Sequence, residues 1–495
     1  MAATKVYDYK PEKVKNKVVA ALKKRKLEST VADLVAGTGL PTNQVQESIK
    51  AVADEYRGQM RVTESGEILY YFPSGMRSRL KGFGPTLRRV LRKVGSTSAR
   101  ILSFLFKIWI MVMLVGYFVI FVGLLLLAML ASVAASAASQ QGGGNRSRSR
   151  DGFGFGGFFL MTRVIEIFIQ IWLYSSLVKG EQRQRARRRP LHRSVFSYVF
   201  GDGDPNPDWD TAEKKAIIHY IQGNKGILTL EELMALTGYS HERAQELLNA
   251  YLIEFEGSPE VTNEGTLYYR FAELMKTRDL PTEPQVRSAP SRALYAFSSN
   301  KPGANRWITF FNGFNLVFGA YFLYFGTFVP VIPKTGGLGQ FYLLVAFLAS
   351  RYLGLDPNVI LPVVLGAIPF AFSLLFFLVP IVRRAREKAK NEEIKKTNLR
   401  RRLFDRILQN PLYVDPMKLE PVGAAETPKG WEGVRDQSLK QFAAMKRADV
   451  EDVGQGNYLY KFVELDREEK DIAQLRNSVD ISKYNIGKTI FDSGE

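Results

Sequence analysis

Four long apolar runs, at residues 101–138, 158–178, 306–332 and 359–382, interrupt an otherwise charged chain. Each has the roughly 20 residues that a helix needs to cross the hydrocarbon of a bilayer. Only helices and closed barrels satisfy every backbone hydrogen bond there, and runs of this length argue for helices. The fold class that follows is a multi-pass α-helical membrane protein with small α+β soluble domains between the spans. A shorter run, FYLLVAFLAS at 341–350, is too short to span and reads as an interfacial or re-entrant helix.

Charge supports this division. The 495 residues hold 68 Lys and Arg against 49 Asp and Glu, a net charge of +19. Nearly all of the excess sits in three blocks, 77–100, 179–193 and 383–402, each abutting an apolar run. Lys and Arg collect on the cytoplasmic flanks of spans and attract anionic lipid headgroups. The blocks therefore report topology: four crossings, a hairpin of the first two, and both termini cytoplasmic. The expected location is a bacterial inner membrane or an organelle membrane. No apolar run precedes residue 101, so no cleavable signal peptide is expected. The chain has no cysteine, which excludes disulfides, thiolate metal sites and cysteine nucleophiles.

An internal repeat organises the soluble parts. At an offset of 199, residues 30–72 align with 229–271 without a gap, pairing Thr30/Thr229, Leu34/Leu233, Thr38/Thr237, Gly39/Gly238, Gly58/Gly257, Gly66/Gly265, Tyr70/Tyr269 and Phe72/Phe271. Each copy reads as three helices (13–25, 30–37 and 42–56; 212–223, 229–236 and 241–255) followed by a β-hairpin with a Gly turn. The motif GNYLYKF at 456–462 matches GTLYYRF at 265–271 and follows a helical stretch at 431–448, which makes a third, degraded copy lacking the Thr-Gly turn. The domains expected are 1–76, 211–275 and 403–466. Residues 179–210 and 276–305 read as linkers and 467–495 as a tail.

Three helices and a β-hairpin resemble the winged-helix fold, a variant of the helix-turn-helix. The resemblance implies DNA reading through the third helix, but here PTNQVQESIKAVADEY (41–56) and SHERAQELLNAYLIEFEG (240–257) carry more acids than bases. Phosphate would repel both. A protein partner is the expected occupant, with anionic lipid at the basic flanks and room for a homo-oligomer.

Chemistry-bearing patterns are few. In GDGDPNPDWDTAE, Asp202, Asp204, Asn206, Asp208, Asp210 and Glu213 fall at positions 1, 3, 5, 7, 9 and 12 of a calcium-loop template, although Pro207 stands where the template needs Gly. Calcium is the one metal this spacing points to, against an Asp/Pro turn that opens the next helix. Arg163, Glu166 and Gln170 share one face of the second span, and Asn312 and Asn315 share one face of the third. Polar groups at membrane depth line a pathway or lock helix packing. His192, His219 and His241 stand in no catalytic or metal spacing, and nucleotide, hydrolase and metalloprotease motifs are absent from the sequence. The expected function is therefore non-enzymatic: a membrane-held module for protein interaction, scaffolding or regulation. A transporter or channel component and a membrane-tethered DNA regulator are the alternatives.

Overall fold

The computed structural model describes residues 9–25, 27–73, 83–140, 190–278, 291–328, 337–419, 426–454 and 457–494. The second apolar run, with Arg163, Glu166 and Gln170, lies outside them. The chain is mostly helical. In order it forms α1 (Pro11–Lys24), β1 (Glu28–Ser29), α2 (Val31–Thr38), α3 (Thr42–Tyr56), β2 (Gln59–Thr63) and β3 (Ile68–Tyr71). There follow α4 (Phe83–Gln140), α5 (Leu191–Phe200), α6 (Trp209–Gly223), β4 (Ile227–Leu228), α7 (Leu230–Thr237), α8 (His241–Glu254), β5 (Ser258–Val261) and β6 (Leu267–Arg270). Next come α9 (Pro302–Phe328), α10 (Gly337–Leu353) and α11 (Pro357–Gln409), whose turns widen to π geometry over Ile360–Ala367. The chain closes with α12 (Trp431–Met445), β7 (Asp449–Gly454), β8 (Asn457–Lys461), α13 (Val463–Ser478) and β9 (Thr489–Asp492). Two compact units result: residues 1–89, 204–294 and 389–495 in one, 90–203 and 295–388 in the other.

The first unit contains the repeat three times. In copies 1 and 2 the short second helix starts from a reciprocal cap, Thr30 with Asp33 and Thr229 with Glu232, and ends at Gly39 and Gly238 in the left-handed region that glycine enters freely. In every copy the chain before that helix bridges the last strand of the hairpin: Ser29 to Tyr70, Leu228 to Tyr269 and Val414 to Tyr460. Beside each bridge a phenylalanine N–H donates back, from Phe72 to Leu27, Phe271 to Gly226 and Phe462 to Pro411, at 2.8–3.0 Å. Each third helix stops at a residue with positive φ, Arg57, Glu256 or Arg447.

Amphipathic patterning explains the cores. Leu22, Ile221 and Ile407 occupy one position of the first helix, are wholly buried, and each removes enough apolar surface to contribute about 2 kcal/mol. Copies 1 and 2 share one hydrophobic core, and α7 and α8 of copy 2 share another with copy 3. The third copy's first helix is the end of α11. The basic block 383–402 is thus helical and supplies the core residue Leu399. Residues 467–495 are likewise no free tail. Their helix α13 buries Ile472 against Ile227 and Tyr268, and β9 adds to the edge of copy 1, giving the sheet order β1-β3-β2-β9.

In the second unit, Ile101–Ala131 of α4, together with α9 and α11, is long and apolar enough to cross a membrane by length and composition. Helices α9 and α11 run antiparallel, since Gly319 faces Phe370, Leu323 faces Gly366 and Gly326 faces Pro362. A Cβ on Gly319, Gly326 or Gly366 would come within 2.7 Å of the opposite helix, so glycine is what permits this backbone approach. The run expected at 341–350 is the longer helix α10, 17 residues, whose Phe341, Tyr342, Val345 and Ala349 pack in the apolar core with Phe121 and Phe322.

Gly257 tests the repeat's packing, because an added Cβ would lie 2.5 Å from the Phe271 ring. Gly257→Ala should cost about 1–3 kcal/mol in denaturant unfolding through overpacking. Gly433→Ala, on a helix with nothing within 4 Å, should instead stabilise by roughly 0.5–1 kcal/mol.

Candidate functional site

The faces available to a partner are the outer sides of the three third helices. Each such helix turns its apolar stripe inward, as with Val45, Ile49 and Val52 on α3 or Leu439 and Phe442 on α12. What remains outside is acidic or neutral. On α3 it is Asn43, Glu47, Lys50, Ala51 and Asp54; on α8, Glu242, Arg243, Glu246, Asn249 and Ile253; on α12, Glu432, Gln437, Lys440, Gln441 and Ala444. Ile253, at the C-terminal end of the α8 face, is 84% exposed.

A buried charged site fixes how these faces stand within the unit, and no local pattern announces its second half. Glu232, the capping acid of α7, is 2% exposed and receives both arms of the Arg476 guanidinium, at 2.8 and 2.7 Å. It also accepts from the Tyr220 hydroxyl at 2.6 Å and the Thr229 amide at 3.0 Å, while Arg476 donates in addition to the Ile227 carbonyl. Burial would raise the Glu232 carboxyl, but the guanidinium and these donors outweigh it and hold the carboxyl below its ordinary value. Copy 1 repeats the arrangement: Asp33 accepts from Arg25 at 2.5 Å and from the Arg278 amide, and the Arg278 side chain pairs with Glu28 at 2.9 Å. In both copies the incoming arginine belongs to the segment that follows the next copy's hairpin. Lys446 adds a second link, bridging Glu231 and Glu468.

The calcium-loop expectation is not met. Among the described residues no three His, Asp or Glu side chains gather where they could hold a metal ion. Asp202 accepts from Ser197 and from the amide and hydroxyl of Ser299. Asp204 closes a turn onto the Asn206 amide, and Asn206 exchanges two hydrogen bonds with the backbone of Ala293. Asp208 holds the N-cap position of α6 and Asp210 its first turn, where a carboxylate favours the helix dipole. Glu213 turns inward, accepting from Trp209 and Tyr239 at the first-helix position that Val14 and Leu399 fill in the other copies. Hence the alternating acids are drawn apart because α6 begins inside the template.

The asparagines of α9 lock packing in the described helices. Asn312 and Asn315 are buried in the second unit, where their amides donate to the Ser373 carbonyl of α11 at 2.9 Å and the Leu114 carbonyl of α4 at 2.7 Å. At the start of α11's basic stretch, Arg383 donates to the Tyr198 and Val199 carbonyls at the end of α5, the terminus where a cation is favoured. Of the histidines, His192 meets the edge of Phe104, burial lowers the His219 pKa, and His241 lies at the start of α8.

Fold and site together describe a mostly helical chain with three helices able to span a membrane and an array of small helix-and-hairpin modules. The chain is similar to an uncharacterized chloroplastic protein of Arabidopsis thaliana, with 24% identity over 417 residues covering 82% of this chain and 74% of the relative. No family model and no solved structure matches.

Because the folded Glu232 carboxyl titrates below its ordinary 4.5, its contribution is complete above that pH and is lost as pH falls towards the folded value. Protection factors of the α13 amides, corrected for the pH dependence of intrinsic exchange, should be lower below about pH 4.5 than at pH 7. Arg476→Met, which leaves a buried carboxylate without its cation, should cost about 3–5 kcal/mol and show the lowered protection already at pH 7.

Proposed function

We propose that this chain is a multi-pass protein of a bacterial inner membrane or an organelle membrane, and that its three winged-helix-like modules form a single platform that binds a protein partner. The reading is of a scaffolding or regulatory component without catalysis. The observation that carries it is the outward chemistry of the third helices, where acidic faces and an exposed Ile253 favour a polypeptide and repel nucleic-acid phosphate. The relative's description as chloroplastic supports an organelle or an equivalent bacterial membrane.

Topology follows from chain parity. One compact unit draws on three stretches, 1–89, 204–294 and 389–495. In an inserted chain these stretches share one side of the bilayer, so an even number of crossings separates them. The apolar helices α9 and α11 supply two between the second and third stretches. Between the first and second, Ile101–Ala131 supplies one, and the sequence offers the return at 158–178. The positive flanks support a platform and termini on the cytoplasmic side or its organelle equivalent.

A photo-crosslinking residue in place of Ile253, in the full chain in its native membrane, tests the reading. A discrete adduct with another polypeptide is expected, and it should be weakened at least tenfold when Glu242 and Glu246 are both changed to Lys. Adducts only with lipid or nucleic acid would overturn it.

A further inference from the structure

The three copies are joined by one repeated contact, and its third occurrence has no occupant within the described residues. The cap residues Thr30, Thr229 and Asp415 each follow the bridge residue Ser29, Leu228 or Val414 and accept a backbone hydrogen bond from the turn they open. This sets a common register. The residue before the bridge is Glu28, Ile227 or Tyr413; the second residue of the turn is Ala32, Glu231 or Met417; the third is Asp33, Glu232 or Lys418.

In copies 1 and 2 this surface is covered. Ala32 is 5% exposed, Ile227 0%, and the two acids 1% and 2%, because the segment after the next hairpin lies across them and delivers Arg278 or Arg476. In copy 3 the same positions are open and changed in kind. Tyr413 is 67% and Met417 59% exposed, and the Lys418 side chain is 84% exposed, with a 3.6 Å contact to Asp415. An apolar pair has appeared where a helix docks in copy 2, and a cation stands where an acid receives arginine.

We infer that this end of the array is a docking site for an amphipathic helix of a partner protein, one that presents apolar side chains to Tyr413 and Met417 and a carboxylate to Lys418. The inference rests on the platform reading above and names the place and chemistry of one partner contact. Its geometry continues an interface that the fold already uses twice. The sign of its charge is the complement of Lys418, since in copy 2 the acid at that position receives the incoming Arg476, and in copy 1 the incoming Arg278 pairs with Glu28 beside it. A second copy of this chain is the poorer occupant. Head-to-tail growth of the array would bring the segment after the copy-1 hairpin to this end, and residues 77–100 carry eight basic residues and no acid.

Two peptides test the site on the full chain in detergent micelles: residues 463–479 in native sequence, and the same segment carrying Arg476→Glu. Binding is read from a fluorophore on Asn410→Cys, which is unique because the chain has no cysteine. The Arg476→Glu peptide should bind at least tenfold more tightly than the native one, and Lys418→Glu should invert that preference. Equal binding of the two peptides, or a preference that ignores Lys418→Glu, would overturn the site. Self-association of the chain that Lys418→Glu abolishes would also overturn it, by assigning this end to a second copy. If peptide discrimination is absent while the Ile253 adduct persists, the open end fails and the platform stands. If the Ile253 adduct is absent while discrimination holds, the docking site stands and the α8 face fails.

Discussion

A buried carboxylate that caps a short helix and also receives the segment following the next repeat's hairpin is the interaction on which the first unit depends. A module of about 65 residues buries too little apolar surface to be robust alone. Here Asp33 and Glu232 cap their own helices and also receive Arg278 and Arg476, so the same atoms that start a helix fasten its neighbour. Burying such a pair is costly unless every donor and acceptor is used, and the Glu232 carboxylate accepts four hydrogen bonds. The apolar cores shared between copies 1 and 2 and between copies 2 and 3 then have a fixed register.

Glycine sets the remaining close approaches. Gly238 lets the turn of copy 2 press on Thr397 and Arg401 in α11, as Gly39 lets copy 1 rest on Thr211 and Lys215 in α6. Since the same glycine meets the first helix of the following copy each time, the copies are related by one stacking step, as in repeat proteins. Within the second unit, Gly319, Gly326 and Gly366 perform the same service between two apolar helices, and Asn312 and Asn315 add directional hydrogen bonds where apolar packing alone is unselective.

Local pattern carried much of this in the sequence. The 199-residue offset placed the helices of copies 1 and 2 to within three residues and their hairpins about the Gly turn, because turn glycines, caps and alternating apolar residues are local signals. The apolar runs marked α4, α9 and α11 by length alone. What escaped were features made by distant partners. The docking of α13 on copy 2 depends on Ile472 and Arg476, which in sequence belong to a charged stretch with no sign of an apolar face. The addition of β9 to β2 uses backbone groups, which leave no side-chain pattern. Of the two readings of 202–213, the Asp/Pro turn that opens the next helix is the one formed, because spacing says nothing of where a helix begins: Glu213 lies one turn inside α6 and points to the core. The basic block 383–402 reads as a flank in sequence, yet it runs into the first helix of copy 3, where Leu399 and, just beyond the block, Leu403 and Ile407 recur at helical spacing.

The central claim is that three modules separated by membrane crossings assemble on one side of the bilayer. Single cysteines at the exposed positions Lys50, Asn249 and Gln437, introduced into a chain with no native cysteine, report it through labelling of sealed, oriented membranes. The account predicts that an impermeant reagent reaches all three from the cytoplasmic side and Ser149→Cys only from the opposite side. Labelling of Asn249→Cys from the side opposite to Lys50→Cys would contradict it, because copies 1 and 2 could not then share a core.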